Sequence, residues 1–150
     1  MQSYRLDYIT DVQAQQTAED FDRLRETLVS MQPSIWGVSC RGEAFGCEHV
    51  SFTVRVDEGE EYIVSRLERE KRGGTVERIG EHLYRFSADV YDTGEMIPWI
   101  RTFLCRIVSL DFSNKPLQKQ FVRDTAAMCR LYNVDFPAQM FVDGGKEADA

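Results

Sequence analysis

The stretch 92–112, DTGEMIPWIRTFLCRIVSLDF, changes its hydrophobic period within a few residues and so constrains the fold most tightly. Asp92, Thr93 and Gly94 favour a turn or a helix cap. The apolar residues that follow recur at helical spacing: Met96, Ile97, Ile100, Phe103 and Leu104. Pro98 is compatible with a helix only in the first turn. From Arg106 the period becomes two, which predicts a strand with Val108, Leu110 and Phe112 on its apolar face. A short helix leading directly into a strand is therefore expected.

The residues before this stretch predict a strand, a helix and two further strands. Alternation over 49–56 indicates a half-buried strand, and 60–72 has a helical apolar face that stops at Gly73. Strands are predicted at 75–79 and 83–91, joined by a tight turn at 80–81. The resulting order, strand–helix–strand–strand–helix–strand, is the α+β, ferredoxin-like split βαβ (βαββαβ) arrangement. It has an antiparallel sheet with two helices on one face.

Further elements are predicted on both sides of this unit. A strand is expected at 4–12 and a helix at 17–31, which Pro33 ends. A last helix is expected at 115–132, with Pro116 at its first position. We therefore divide the chain into an N-terminal strand–helix segment (1–48), a ferredoxin-like domain (49–133) and a flexible tail (134–150). An unpaired terminal strand and an open sheet predict a homo-oligomer, such as a dimer, or a larger protein partner.

Composition narrows the class of protein. The net charge of −7 argues against a general nucleic-acid binder. The four cysteines have no zinc spacing or disulfide pattern, so we expect no metal site and no cofactor. No apolar run is long enough to span a membrane, and the charged N-terminus is unlike a signal peptide. These features predict a reduced, cytoplasmic protein that does not interact with membranes.

The usual catalytic motifs are missing from the sequence. It contains no phosphate-binding P-loop, no Gly-x-Gly-x-x-Gly, no Gly-x-Ser-x-Gly and no His-Glu-x-x-His. The two histidines, His49 and His82, are expected to be structural or exposed at a turn. No pair of carboxylates is singled out by its spacing for acid–base catalysis. We expect no catalytic residues and therefore no enzyme.

The best candidates for ligand binding are Trp99 and Arg101. An exposed indole beside a guanidinium stacks on planar groups and binds an anion bidentately. In the structural alternative, Trp99 belongs to the core, and Arg101 bonds a carboxylate or a helix-end carbonyl. Arg41, which begins a glycine-rich turn at 41–46, is a further candidate.

Two stretches together resemble a known family. IPWIRTFLCRIVSLDFSN, followed by a helix ending in MCRLYN, resembles the C-terminal extension of bacterial WYL-domain transcriptional regulators. YRLDYITDV near the start resembles the last strand of the WYL domain. The resemblance runs from about Tyr4 to Tyr132. It implies a ferredoxin-like extension and a role in sensing an effector, a nucleotide or a nucleic acid, that adjusts DNA binding.

The resemblance also implies roles for single residues. Arg5 falls on an arginine associated with the WYL pocket, and Trp99 and Arg101 fall on the signature of the extension. The sequence differs from the family at Leu104, where glycine is common, and at Tyr8, where a second arginine is common. The helix-turn-helix and most of the WYL barrel have no counterpart here, so direct sequence-specific DNA binding is not expected.

Two functions therefore remain open at this point. In the first, the chain is a non-catalytic regulatory module that resembles the effector-sensing or oligomerisation extension of a WYL-type regulator. In the second, it is a stand-alone protein-interaction module that binds and modulates a larger regulator or a nucleoprotein effector. The sequence leaves open the identity of the effector, the partner and the oligomeric state.

Overall fold

A computed structural model of the chain describes residues 6–13, 20–39 and 46–136. These residues form a mixed α+β structure with four α-helices and a four-stranded antiparallel sheet. The helices are α1 (Phe21–Met31), α2 (Glu61–Glu70), α3 (Ile97–Arg101) and α4 (Lys115–Leu131). The strands are β1 (Glu48–Arg55), β2 (Thr75–Arg78), β3 (Leu83–Val90) and β4 (Ile107–Phe112). Short 3-10 helices lie at Leu6–Tyr8, Gln32–Ser34, Thr93–Met96 and Leu104–Arg106.

The strand order across the sheet is β2-β3-β1-β4, so β1 and β3 are central. Phe52 of β1 lies opposite Phe86 of β3 and Leu110 of β4. Since side chains alternate along a strand, the even-numbered residues of β1 and β3 point to one face. That face is buried, and Val50, Phe52 and Phe86 are at most 1% exposed.

The core contains residues from the buried sheet face and from two of the helices. Ile63 and Leu67 of α2 and Ile97 and Ile100 of α3 belong to the same hydrophobic cluster as Phe86. α2 has apolar residues four positions apart, which places them on one side of the helix. Burial of these side chains at about 25 cal/mol per Å² is the main force that fixes the helices on the sheet.

The predicted transition from helix to strand at 92–112 is confirmed, although the helical part is broken into short pieces. The Asp92 side chain accepts a hydrogen bond from the Gly94 amide at 2.9 Å and caps the 3-10 helix Thr93–Met96. α3 follows with Pro98 in its first turn, as predicted. Another 3-10 helix, Leu104–Arg106, then leads into β4.

The predicted apolar face of β4 is partly wrong. Leu110 and Phe112 are buried, but Ile107 is also buried and Val108 only half-buried. Thr53 of β1 pairs with Ser109, whereas Val54 pairs with Ile107, so the register shifts at Val108. An extra residue in one strand reverses the side-chain alternation there, which explains the error.

The predicted strand at 4–12 is not formed in its described part. Leu6–Tyr8 is a 3-10 helix, and residues 9–13 have no strand structure. Alternating polarity alone does not form a strand, because a strand needs a neighbour to pair with, and none of the described strands pairs with this segment. α1 begins at Phe21 and is capped by the Asp20 side chain, while residue 17, where the helix was predicted to begin, lies outside the described residues.

Residues 32–39 pack against residues 48–112, which form the sheet with α2 and α3 and are called the sheet domain below. Trp36 is 8% exposed and belongs to the main hydrophobic cluster. The Tyr91 amide donates a hydrogen bond to the Ser34 carbonyl at 3.0 Å. At Gly73 a Cβ atom would overlap with the Pro33 carbonyl oxygen, so glycine permits the close approach of the two segments. At the other end of the chain, Phe136 packs against the core.

Candidate functional site

Trp99 lies on α3 and packs against the aromatic core. Its ring centroid is 4.8 Å from that of Trp36 and 5.1 Å from that of Phe86, with the second pair edge-to-face. The indole Nε1–H donates a hydrogen bond to Glu70 Oε2 on α2 at 2.8 Å. Aromatic pairs at these spacings each contribute about 0.5–1.5 kcal/mol beyond their buried area. Trp99 therefore links α2, α3 and the sheet.

The Glu70 carboxylate is held by donors from two directions. The hydrogen bond from Trp99 is the largest cause that lowers its pKa below the usual value, and a hydrogen bond from Arg69 is the next. Arg66, one helical turn before Glu70, donates at 3.0 Å and lowers the pKa further, while burial opposes these effects. Glu70 therefore stays ionised at neutral pH and orients the indole.

Arg101 makes an ion pair with Asp124 of α4 at 3.1 Å. The two side chains are 51% and 41% exposed. Positions two apart on a helix do not face each other, and Trp99 and Arg101 bond carboxylates from different helices. The structure therefore does not place them around a common space, and ligand binding by these residues stays a prediction. Arg5 and Arg41 lie outside the described residues.

Trp36 and Glu95 make long-range contacts that the sequence pattern does not predict. The guanidinium of Arg72 lies 5.0 Å from the Trp36 ring centroid. The Glu95 carboxylate accepts hydrogen bonds from the amides of Gly37, Val38 and Ser39 at 2.9–3.1 Å. Glu95 lies in the 3-10 helix Thr93–Met96, and its carboxylate fixes residues 37–39 to the turn before α3.

Alternate residues of β1, β3 and β4 point away from the core, and we call the surface they form the open face of the sheet. Ser51 of β1 lies opposite Ser87 of β3, and their hydroxyl oxygens are 3.5 Å apart. Thr53 lies between Arg85 of β3 and Ser109 of β4. The open face therefore carries a row of hydroxyl groups beside a guanidinium.

A recess of about 290 Å³ opens on this face. Polar side chains form most of its lining: His49, Ser51, Arg85, Ser87, Ser109 and Asp111. Their polar positions in the strands were visible in the sequence. Their proximity depends on the pairing of β1 with β3 and β4, which are distant along the chain, and no local pattern contains that information.

Some charged side chains on the open face have a partner among the described residues, and others do not. His49 Nδ1 is 2.8 Å from Asp89 Oδ1, and Lys115 Nζ is 2.5 Å from Asp111 Oδ1. Arg85 makes no ion pair or side-chain hydrogen bond with any residue in the described ranges. The recess therefore combines hydroxyl donors with an unpaired guanidinium, a combination suited to an anion.

A second and more apolar groove, of about 530 Å³, lies between α3 and the C-terminal half of α4. Its lining includes Leu104, Ile107, Met128, Val134 and Phe136. Arg101 and two cysteines, Cys105 and Cys129, also line it. The predicted ligand residue Arg101 therefore borders an apolar groove, while the open face has the polar recess.

Comparisons of this chain with known proteins identify no family and no relative. No protein-family model matches it, and neither a curated protein nor a solved structure matches it. In residues 6–13, 20–39 and 46–136, no three or more His, Cys, Asp or Glu side chains are grouped as metal ligands. No helix among these residues is long and apolar enough to cross a membrane.

Proposed function

We propose that the chain is a non-catalytic regulatory module with a ferredoxin-like fold. In this proposal it corresponds to the effector-sensing or oligomerisation extension of a WYL-type transcriptional regulator. The element order β1-α2-β2-β3-α3-β4 and the strand order β2-β3-β1-β4 support the fold assignment, since both agree with a split βαβ sheet. The sequence stretch 92–112, which carries most of the resemblance, supplies α3 and β4, the last helix and the last strand of this unit.

The observation that carries the proposal is the difference between the two faces of the sheet. One face is sealed by α2, α3 and the aromatic cluster, with Phe52 and Phe86 at most 1% exposed. The other face carries polar side chains and the 290 Å³ recess. A rigid sheet with one sealed face and one polar, accessible face is suited to present a binding surface of fixed shape.

The same arrangement gives a physical reason for sensing rather than catalysis. The recess offers hydroxyl, imidazole and guanidinium groups, which bind and orient a ligand by hydrogen bonds. A ligand that contacts β1, β3 and β4 together stabilises the described fold by mass action. In a longer regulator this stabilisation would change how the module packs on its neighbours.

The test uses the purified chain and a panel of effectors. Cyclic nucleotides, mononucleotides and short single-stranded oligonucleotides are added in thermal-shift experiments, and light scattering records self-association. Ser51→Gln fills the recess on the open face, and Ser65→Gln makes the same change on the exposed side of α2.

We expect at least one effector class to raise the melting temperature of the wild type and of Ser65→Gln. A ligand present at a hundredfold excess over Kd stabilises by about 2.7 kcal/mol, which is easily measured. Ser51→Gln should lose most of that shift. The proposal fails if no member of the panel changes the melting temperature or the oligomeric state, or if both variants behave alike.

The exposed apolar face of α1 favours the second candidate function, a stand-alone protein-interaction module. Phe21, Leu24 and Leu28 are 65%, 48% and 45% exposed, although their helical spacing predicts a buried face. Large exposed apolar patches mark interaction sites. In this alternative, α1 contacts a second copy of the chain or a larger regulator or nucleoprotein effector.

Leu24→Glu tests this alternative, because a charge on the apolar face should abolish association that depends on α1. Loss of a dimer in light scattering would support it, and a wild-type monomer at all concentrations would exclude self-association. Gene context separates the two functions further. An in-frame helix-turn-helix coding region upstream supports the regulator, and an isolated or phage-borne gene supports the interaction module.

A further inference from the structure

We propose that the recess on the open face is a binding site for a phosphate-type oxoanion, with Arg85 as its charged ligand. The hydroxyls of Ser51, Ser87 and Ser109 would supply the neutral hydrogen bonds. This inference rests on the proposed function, because it names the chemical class of the ligand that the same surface would sense.

The strand register brings these groups together. Arg85 and Ser87 project from the same side of β3, two residues apart. Ser51 lies opposite Ser87, and Ser109 lies on the far side of Thr53 from Arg85. Directly paired side chains on one face of a sheet have Cβ atoms about 4.5–5.5 Å apart. Three hydroxyls therefore line a space that the long Arg85 side chain can reach.

Charge gives the second argument. Asp111, which lines the recess, makes an ion pair with Lys115, and Asp89 of β3 contacts the imidazole of His49. Arg85 has no such partner in the described part of the chain and is exposed. A planar guanidinium matches two oxygens of a phosphate at once, which a single ammonium group does not.

One carboxylate competes with the ligand. Glu77 of β2 lies directly opposite Arg85 in the register, although the two make no ion pair within 4.0 Å. Its negative charge repels an incoming oxoanion and attracts the guanidinium. Removal of that charge should therefore strengthen binding, which makes Glu77 an internal test of the site.

The size of the recess limits the ligand. A volume of about 290 Å³ lies just below the range of roughly 300–1,000 Å³ for ligand pockets. We therefore expect the ligand to present a phosphate group, either as free inorganic phosphate or as part of a small phosphomonoester. A ligand of that size contacts all three strands at once.

The experiment is a calorimetric or NMR titration of the full chain with inorganic phosphate and, separately, with phenyl phosphate. Sodium chloride of equal ionic strength serves as the salt control. Four variants are compared with the wild type: Arg85→Gln, Arg85→Lys, Glu77→Gln and Arg123→Gln. Arg123 is an exposed residue of α4, so Arg123→Gln changes the net charge by the same amount at a distant position.

Arg85→Gln should weaken binding roughly ten- to a hundredfold, as loss of one charge-assisted contact does. Arg85→Lys should show an intermediate loss, since the charge remains but the bidentate geometry does not. Glu77→Gln should tighten binding roughly two- to fivefold. Arg123→Gln should match the wild type. If phenyl phosphate binds more tightly than phosphate, the ligand is a phosphomonoester, and the reverse order identifies the free anion.

Equal affinities of the wild type and Arg85→Gln, equal losses in Arg85→Gln and Arg123→Gln, or no binding of either probe would overturn the inference. Melting curves check the fold, and an exposed residue without a described partner should change stability by less than about 0.5 kcal/mol. The outcome also separates this inference from the proposed function. If an effector from the panel binds and is lost in Ser51→Gln but not in Arg85→Gln, the sensing module stands and the oxoanion site does not.

Discussion

Gln118 is expected to protect the outer edge of the sheet. It lies in the first turns of α4, and its side-chain amide makes two hydrogen bonds to β4, which is an edge strand. Oε1 accepts from the Phe112 amide at 3.0 Å, and Nε2 donates to the Leu110 carbonyl at 3.1 Å. The side-chain amide therefore takes the place of a neighbouring strand at this position. In Gln118→Ala, the Phe112 N–H and the Leu110 carbonyl lose their hydrogen-bond partners.

The magnitude follows from the two bonds that are lost. A neutral hydrogen bond contributes about 0.5–1.5 kcal/mol net, so Gln118→Ala should reduce the free energy of unfolding by about 1–3 kcal/mol. At this chain length each kcal/mol corresponds to roughly 2–4 °C in melting temperature. Gln118→Glu keeps an acceptor for Phe112, but its second carboxylate oxygen faces the Leu110 carbonyl, so this variant should also be less stable than the wild type.

Urea denaturation at neutral pH, followed by circular dichroism, measures this loss. Gln120→Ala is the matched control, because Gln120 is an exposed residue of the same helix. Light scattering of Gln118→Ala should also reveal more self-association, since the edge of β4 becomes available to another chain. The reasoning is refuted if Gln118→Ala and Gln120→Ala unfold at the same urea concentration, or if Gln118→Glu is as stable as the wild type.

Three further predictions concern contacts between segments that are distant along the chain. Gly73→Ala should cost about 1–3 kcal/mol in thermal melts, because its Cβ meets the Pro33 carbonyl. Gly80→Ala should cost less, because its Cβ makes only ordinary contacts, and equal losses would contradict the account. Glu95→Ala should speed hydrogen exchange of the three amides that the carboxylate binds, and unchanged protection would contradict that role. Glu70→Gln should be less stable than the wild type at neutral pH. That difference should shrink as the pH falls through the lowered pKa of Glu70, because the stabilisation exists only while its carboxylate is ionised. A constant difference from pH 7 to pH 3 would contradict it.

Local sequence patterns predicted the secondary structure of the sheet domain well. The alternation in 49–56 predicted β1, and the glycines after 72 predicted the end of α2, because strand and helix periods depend on neighbouring residues. The short helix before β4 was visible for the same reason, with Pro98 in its first turn. Burial of one strand face was also predictable, since Phe52 and Val54 alternate with polar residues.

Contacts between distant residues were not predictable from such patterns. The register shift at Val108 depends on how β4 pairs with β1. The contact of Trp36 with Trp99 joins residues 63 positions apart and requires the fold to exist first. The alternation at 4–12 led to a wrong strand prediction, because a period of two describes a strand only when a partner strand is present.

The same distinction between predictable residue types and unpredictable contacts applies to the candidate site. Trp99 and Arg101 were recognisable by residue type, yet only the folded structure shows that each is bonded to a carboxylate from a different helix. Ser51 and Arg85 were recognisable as polar strand positions. Their meeting in one recess required the antiparallel pairing of β1 with β3, a contact between residues more than thirty positions apart.

Chemical-shift mapping tests the central claim, that the open face of the sheet is the binding surface, most directly. The ¹⁵N-labelled chain is titrated with the tightest-binding compound among the phosphates, nucleotides and oligonucleotides, and the shifted amides are assigned. The account predicts saturable shifts concentrated at residues 49–53, 85–89 and 109–111. Shifts concentrated instead around Arg101 and the apolar groove at 101–107 and 125–136 would contradict it.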